Sequence, residues 1–203
     1  NPEVIRMKRW RTAAVLGILL AILCGSYADF TARVRSLREN VLRLHILANS
    51  DSQEDQALKL RVRDRLLEHS AQLFAGCQTL EEMQQRAWEE RETIRLIAQQ
   101  VLEENGCTDQ VTVQLAQMEF DTREYEEITM PGGAYEALRI LIGEGAGQNW
   151  WCVMYPPLCL PAASEASAYF DGETVELLEA PETYEVKLKC VEVFQAWRDK
   201  HAS

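Results

Sequence analysis

The stretch that most limits what this chain can become runs from Tyr135 to Cys159: Tyr-Glu-Ala-Leu-Arg-Ile-Leu-Ile-Gly-Glu-Gly-Ala-Gly-Gln-Asn-Trp-Trp-Cys-Val-Met-Tyr-Pro-Pro-Leu-Cys. Leu138, Ile140 and Ile142 alternate with Ala137, Arg139 and Leu141, and Trp151, Val153 and Tyr155 alternate with Trp150, Cys152 and Met154. Successive side chains of a strand point to opposite faces, so both runs read as strands. Gly143, Gly145 and Gly147 lie between them and admit positive φ, so the expected unit is a hairpin. Pro156-Pro157 ends the second strand, because proline has no N–H to give to a ladder. Trp150 and Trp151 must then face opposite ways: either one enters the core and the other is half exposed or covered by a partner, or helices cover both faces. Tryptophan is among the residues most often found at binding hot spots.

The same periodicities order the rest. Val41–Ala48 reads as a strand with Leu42, Leu44, Ile46 and Ala48 on one face and His45 on the polar side. Asn49-Ser50-Asp51-Ser52 breaks it, and Ser52 with Asp55, or Asp51 with Glu54, predicts a capping box that opens a helix. Leu58, Val62, Leu66 and Leu73 form that helix's apolar ridge. A second helix starts at the Thr79/Glu82 pair and runs to about Glu104, ended by Asn105-Gly106. Val111, Val113 and Leu115 predict a strand, and Asp121 to Gly133 an acidic loop. Residues 160–180 read as a loose connection with one short helix. Beyond Pro181, the spacing of Val186, Cys190, Val193 and Trp197 predicts a C-terminal amphipathic helix. The expected class is α+β: a single domain, mostly antiparallel, with a pair of helices after the first strand and a helix at the C-terminus.

At the N-terminus Arg6, Lys8, Arg9 and Arg11 precede an apolar run from Ala13 to Gly25, followed by Ser26-Tyr27-Ala28. A charged region, an apolar region and a small-x-small site mark residues 1–28 as a signal peptide or N-terminal anchor, with 29–203 as the exported domain. The formal net charge of −11 argues against nonspecific nucleic-acid binding. Residues 33–65 reverse that balance locally, with eight Lys or Arg against five acids. Membrane proximity fits both features. Export also permits disulfides, and residues beyond 28 hold five cysteines, an odd number that leaves at least one thiol free or intermolecular.

Catalytic chemistry is thinly represented. His45 is followed by Asn49, Asp51 and Asp55, but one histidine beside capping acids is not a metal-ligand set. A Cys152 nucleophile paired with His45 is conceivable, but Cys152 sits in a strand, whereas a catalytic cysteine usually lies at a helix N-terminus or beside a cation. Gly143-Glu-Gly-Ala-Gly147 lacks the spacing of a dinucleotide loop. No catalytic residue, metal, cofactor or small-molecule substrate is therefore expected. Cys152 and Cys159 are candidates for a disulfide. Full extension would hold their Cα atoms roughly 20 Å apart, and a bridge needs about 4.4–6.8 Å, so the prolines would have to reverse the chain.

Two of these segments carry a resemblance. Leu44-His-Ile-Leu-Ala-Asn-Ser-Asp-Ser52 with Glu54-Asp-Gln56 and Lys59, and Ile142-Gly-Glu-Gly145 with Asn149-Trp-Trp-Cys152 and Pro156-Pro-Leu-Cys159, resemble the stage II sporulation protein R family over about residues 33–159. The resemblance implies a secreted signalling protein of endospore formation, made in the forespore and exported into the space between the two membranes. There it would activate a membrane-embedded aspartic protease that matures the mother-cell sigma-E factor. It implies no enzyme activity. Trp150, Trp151, His45, Asn49 and Asp51 are the partner-binding candidates. A second reading, from a different class, is a secreted cysteine-dependent hydrolase of cell-wall or peptide substrates using Cys152 and His45.

Overall fold

In the computed structural model of the chain, residues 2–124, 128–155 and 172–179 are described. The chain divides into two compact units, Asn1–Leu37 with Glu182–Ser203, and Arg38–Pro181. Helix α1 (Pro2–Glu39) is continuous and supplies the described part of the first unit. Its segment Arg9–Glu39 is long and apolar enough to cross a membrane by length and composition, with a mean hydropathy of 1.9 in its most apolar window. Trp10, Leu16, Ile18, Leu20 and Ile22 are exposed along it. A signal segment and a spanning anchor share these properties.

The second unit is built on a four-stranded sheet in the order β2-β5-β1-β6, where β1 is Leu42–Leu47, β2 Val111–Phe120, β5 Gly133–Ile142 and β6 Asn149–Tyr155. Three helices lie between β1 and β2: α2 (Gln53–Leu73), α3 (Leu80–Glu89) and α4 (Arg91–Glu104). The acidic stretch after β2 forms a minimal ribbon of β3 (Arg123–Glu124) and β4 (Thr129–Met130), against which a short helix, α5 (Gly172–Glu179), packs. Leu42, Leu44 and Ile46 join Leu138, Ile140 and Ile142 on the front face, and Leu58, Val62, Leu66, Ile94, Val101 and Leu102 of the helices pack onto them.

The expected architecture needs correction. The sheet is mixed, because β1 runs parallel to β5 and antiparallel to β6. A helix precedes the first strand, three helices rather than two follow it, and the last strand of the sheet is β6. The long helix expected from Thr79 to Glu104 breaks at Glu90, which closes α3 and opens α4 without a side-chain cap. Its start is as predicted: Thr79 and Glu82 form a reciprocal capping box. The helix expected after Pro181 lies outside the described residues.

The hairpin is the largest revision. The two alternating runs form β5 and β6, but β1 lies between them. Alternation shows that a segment is a strand; it does not show which strand is its neighbour. Every residue of β1 is buried, and a strand buried on both faces sits inside a sheet rather than at its edge. The glycine-rich segment 143–148 therefore steps over the end of β1, about 10 Å or two strand spacings.

Candidate functional site

That step brings together the two sequence segments singled out above. Where β1 ends, Ala48 and Asn49 turn their carbonyls up to the crossing segment: Gly147 N–H donates to Ala48 O (3.0 Å) and Ala146 N–H to Asn49 O (3.2 Å). The Asn49 side chain accepts from Glu144 N–H at 3.0 Å, and Asp51 Oδ1 accepts from Gln148 N–H at 2.6 Å. From α2, Lys59 Nζ donates to Gln148 O at 2.9 Å and to Gln56 Oε1 at 2.6 Å, although these partners lie 89 and 3 residues from it. Gln56 in turn donates to Ser50 O at 2.9 Å. Asp55 receives Ser50 Oγ–H at 2.6 Å and Asn49 Nδ2–H at 3.3 Å. Asn49 and Asp51 thus hold residues 144–148 directly, while Ser50, Asp55 and Gln56 brace the turn that presents them.

Two sequence expectations change here. Ser52 caps α2 through Asp55 N–H at 3.1 Å, but the Asp55 carboxylate goes to Ser50 and Asn49 rather than back to the cap. Asp51 is not a helix cap; it holds the crossing segment. Lys59 lies off the apolar ridge of α2, yet it is buried. Burial pushes its ammonium below the usual lysine value, Asp51 opposes that shift, and Arg63 adds to it. The signal available in the sequence was the spacing Asn49, Ser50, Asp51, Asp55, Gln56, Lys59, which lines one end of a strand and one face of the next helix.

Two glycines make the close approach possible. A Cβ on Gly147 would overlap Ser50 O, and one on Gly143 would overlap the Asn49 side chain. Gly143 and Gly145 also hold φ of +56° and +60°, the left-handed region that costs other residues about 1–2 kcal/mol.

The back face of the sheet is a second cluster. His45 lies there with 2 % exposure, stacked on Trp151 at 3.8 Å between centroids and 9° between planes. Phe120 leans on Trp151 at 4.5 Å, and the fully buried Arg43 lies 4.2 Å over the Phe120 ring and 5.1 Å over Tyr135. His45 therefore does not stand on a solvated side. Burial, with the positive charges of Arg139 and Arg43, lowers its pKa to about 4. The alternation of Arg43 and His45 with leucines resembles an amphipathic strand, but aromatic rings cover these polar side chains instead of water.

Trp150 and Trp151 face opposite ways, and both are half-buried. Trp150 packs against the helix-side core, 5.4 Å from the Arg63 guanidinium. Cys152 also faces the helix side, opposite Leu44, while His45 occupies the other face. Cys152 is disulfide-bonded. Its partner lies outside the described residues, as does the expected pairing with Cys159; Cys24, Cys77 and Cys107 are free. The Cys152–His45 pair required by a hydrolase is not assembled: the two side chains are on opposite faces of the sheet, and the sulfur is already bonded. Among the described residues no group of three or more His, Cys, Asp or Glu is placed to hold a metal ion.

Comparison with known proteins covers both segments that this crossing joins. The sequence model of the stage II sporulation protein R family matches residues 38–165, beginning where the sheet unit begins. Stage II sporulation protein R of Bacillus subtilis (strain 168) is 35 % identical over 138 residues, which is 68 % of this chain. The aligned part of this chain spans 62 % of the length of that relative. No solved structure matches.

Proposed function

We propose that this chain, which belongs to the stage II sporulation protein R family, is a secreted signalling protein of endospore formation. In this reading it passes between the forespore and mother-cell membranes and switches on a membrane-embedded aspartic protease, which then matures the sigma-E precursor. The observation that carries the proposal is the joining of the two family segments. Asn49, Asp51 and Lys59 hold residues 144–148 through backbone groups, a set of bonds that fixes a shape and performs no chemistry. Residues used to fix a shape suit a ligand that a partner recognises. The apolar helix Arg9–Glu39 supports export or membrane attachment. The disulfide at Cys152 agrees with an oxidising compartment outside the cytoplasm, and it disfavours the cysteine-hydrolase reading.

Coexpression in a non-sporulating host tests the proposal. With the protease and the sigma-factor precursor present, processing is expected only when this chain is also made and exported. Processing of equal extent without it would contradict the activator role. Trp150→Ala separates recognition from folding in the same host. Loss of processing with the melting temperature retained places Trp150 at the partner surface; loss of both places it in the fold alone.

A further inference from the structure

Strand β2 forms one edge of the sheet: β5 pairs with one side of it, and among the described residues no strand pairs with the other. The phase of the ladder fixes which backbone groups that open side carries. Gly143 N–H donates to Gln110 O, opposite it in the register that continues from Val111 and Ile142, so the even-numbered residues of β2 turn their N–H and C=O toward β5. Val111, Val113, Leu115, Gln117 and Glu119 therefore turn theirs outward. Gln99 of α4 closes the first of these, its Oε1 accepting from Val111 N–H at 3.0 Å. Exposed edges are commonly guarded by proline, a bulge or lysine. None guards β2: its register with β5 runs from Val111 to Phe120 without a shift, and Glu119 is its single charge. The open run from Val113 to Glu119 is symmetric about Ala116, which suits it to an identical strand running the other way. Across a two-fold axis at Ala116, Val113 would face Glu119 of a second copy and Leu115 would face Gln117, each pair exchanging two backbone hydrogen bonds. Ala116 places a small side chain on the axis, where the backbones pass about 4.5 Å apart. The two Glu119 carboxylates would stand six residues apart along the ladder, about 20 Å, well beyond the ~10 Å screening length. An axis at Leu115 instead would ask Val111 for the N–H already given to Gln99. Val113 and Leu115, half-buried against the helix-side core, would lose more apolar surface to the pairing.

We propose that β2 is a self-pairing edge: two copies of this chain join antiparallel about Ala116, so that their four-stranded sheets become one continuous sheet. The surface stands independently of the signalling role. Amide exchange of the full chain in detergent micelles, which cover the apolar part of α1, reads the pairing at the strand itself. At high protein concentration the amides of Val113, Leu115, Gln117 and Glu119 should exchange at least about tenfold more slowly than in the dilute chain. Sedimentation equilibrium should show a dimer that dissociates over the same range. Gln117, an exposed side chain, supplies the variants. Gln117→Pro removes one outward N–H and leaves the β2–β5 bonds in place; it should sediment as a monomer, with Val113, Leu115 and Glu119 exchanging at the dilute rate. Gln117→Val keeps the N–H and should still pair. Should Gln117→Pro fail to fold, the concentration dependence of the wild-type amides still decides. A monomer up to the limit of solubility, a dimer in which these four amides stay open, or protection unchanged on dilution would overturn the proposal. Protection that appears only when another protein is added would give the edge to that protein, and would overturn self-pairing as well.

Discussion

Gly147→Ala is expected to destabilise the sheet unit by about 3 kcal/mol or more, the upper range for forcing atoms into a packed site. The added methyl would overlap the carbonyl of Ser50, a backbone atom pinned by Gln56 on one side and by the turn into α2 on the other. Moving Ser50 shifts Asn49 and Asp51, which hold the Glu144 and Gln148 amides. A flexible side chain could yield; this carbonyl cannot yield without loosening the bonds that place β6. Gly145→Ala provides the scale. There the nearest atom is the end of a leucine side chain, Leu141 Cδ2 at 3.1 Å, and the main cost is the positive φ of +60°. That substitution should cost about 1–2 kcal/mol. Urea unfolding of both variants checks the order; equal losses would show that Ser50 moves freely.

The second large effect is a pH dependence centred on His45. Its pKa falls from 6.5 in the unfolded chain to about 4 in the fold, through burial first and then Arg139 and Arg43. Between these values the unfolded chain binds a proton that the folded chain refuses, so stability drops as pH falls from 6.5 toward 4. The full loss is about 3 kcal/mol, and below the lower value the contribution no longer changes. His45→Gln keeps a polar side chain and removes the titration. Its stability difference between pH 7 and pH 4.5 should be smaller than that of the wild type by about 2 kcal/mol. Identical pH slopes would mean that His45 titrates normally.

The sequence made the strands, the capping box at Thr79 and the left-handed glycine after α4 readable, because each depends on residues within a few positions. Gly106 has a φ of +73°, and Cys107 N–H reaches back to Leu102 O, as the Asn-Gly pair predicts. What escaped was decided by residues far apart in sequence. The insertion of β1 between β5 and β6 is invisible to alternation. The burial of Arg43, His45 and Lys59 is equally hidden, since nothing within their own segments announces the rings of Phe120, Tyr135 and Trp151 or the carbonyl of Gln148. Of the candidate site residues, Asn49 and Asp51 do meet the Tyr135–Cys159 stretch. His45 and Trp151 meet each other on the opposite face. Trp150 stands apart from both, beside Arg63.

The segments around Asn49–Lys59 and Gly143–Gln148 form one locked structure, and amide hydrogen exchange tests that most directly. The amides of Glu144, Ala146, Gly147 and Gln148 each have a named acceptor at or just beyond the end of β1. They are predicted to exchange with the protection of the β1 amides, and Lys59→Met is predicted to release Gln148 and its neighbours while the β2–β5 pair stays protected. Exchange of these amides at the rate of an open loop in the wild-type chain would show that the two segments are not locked together.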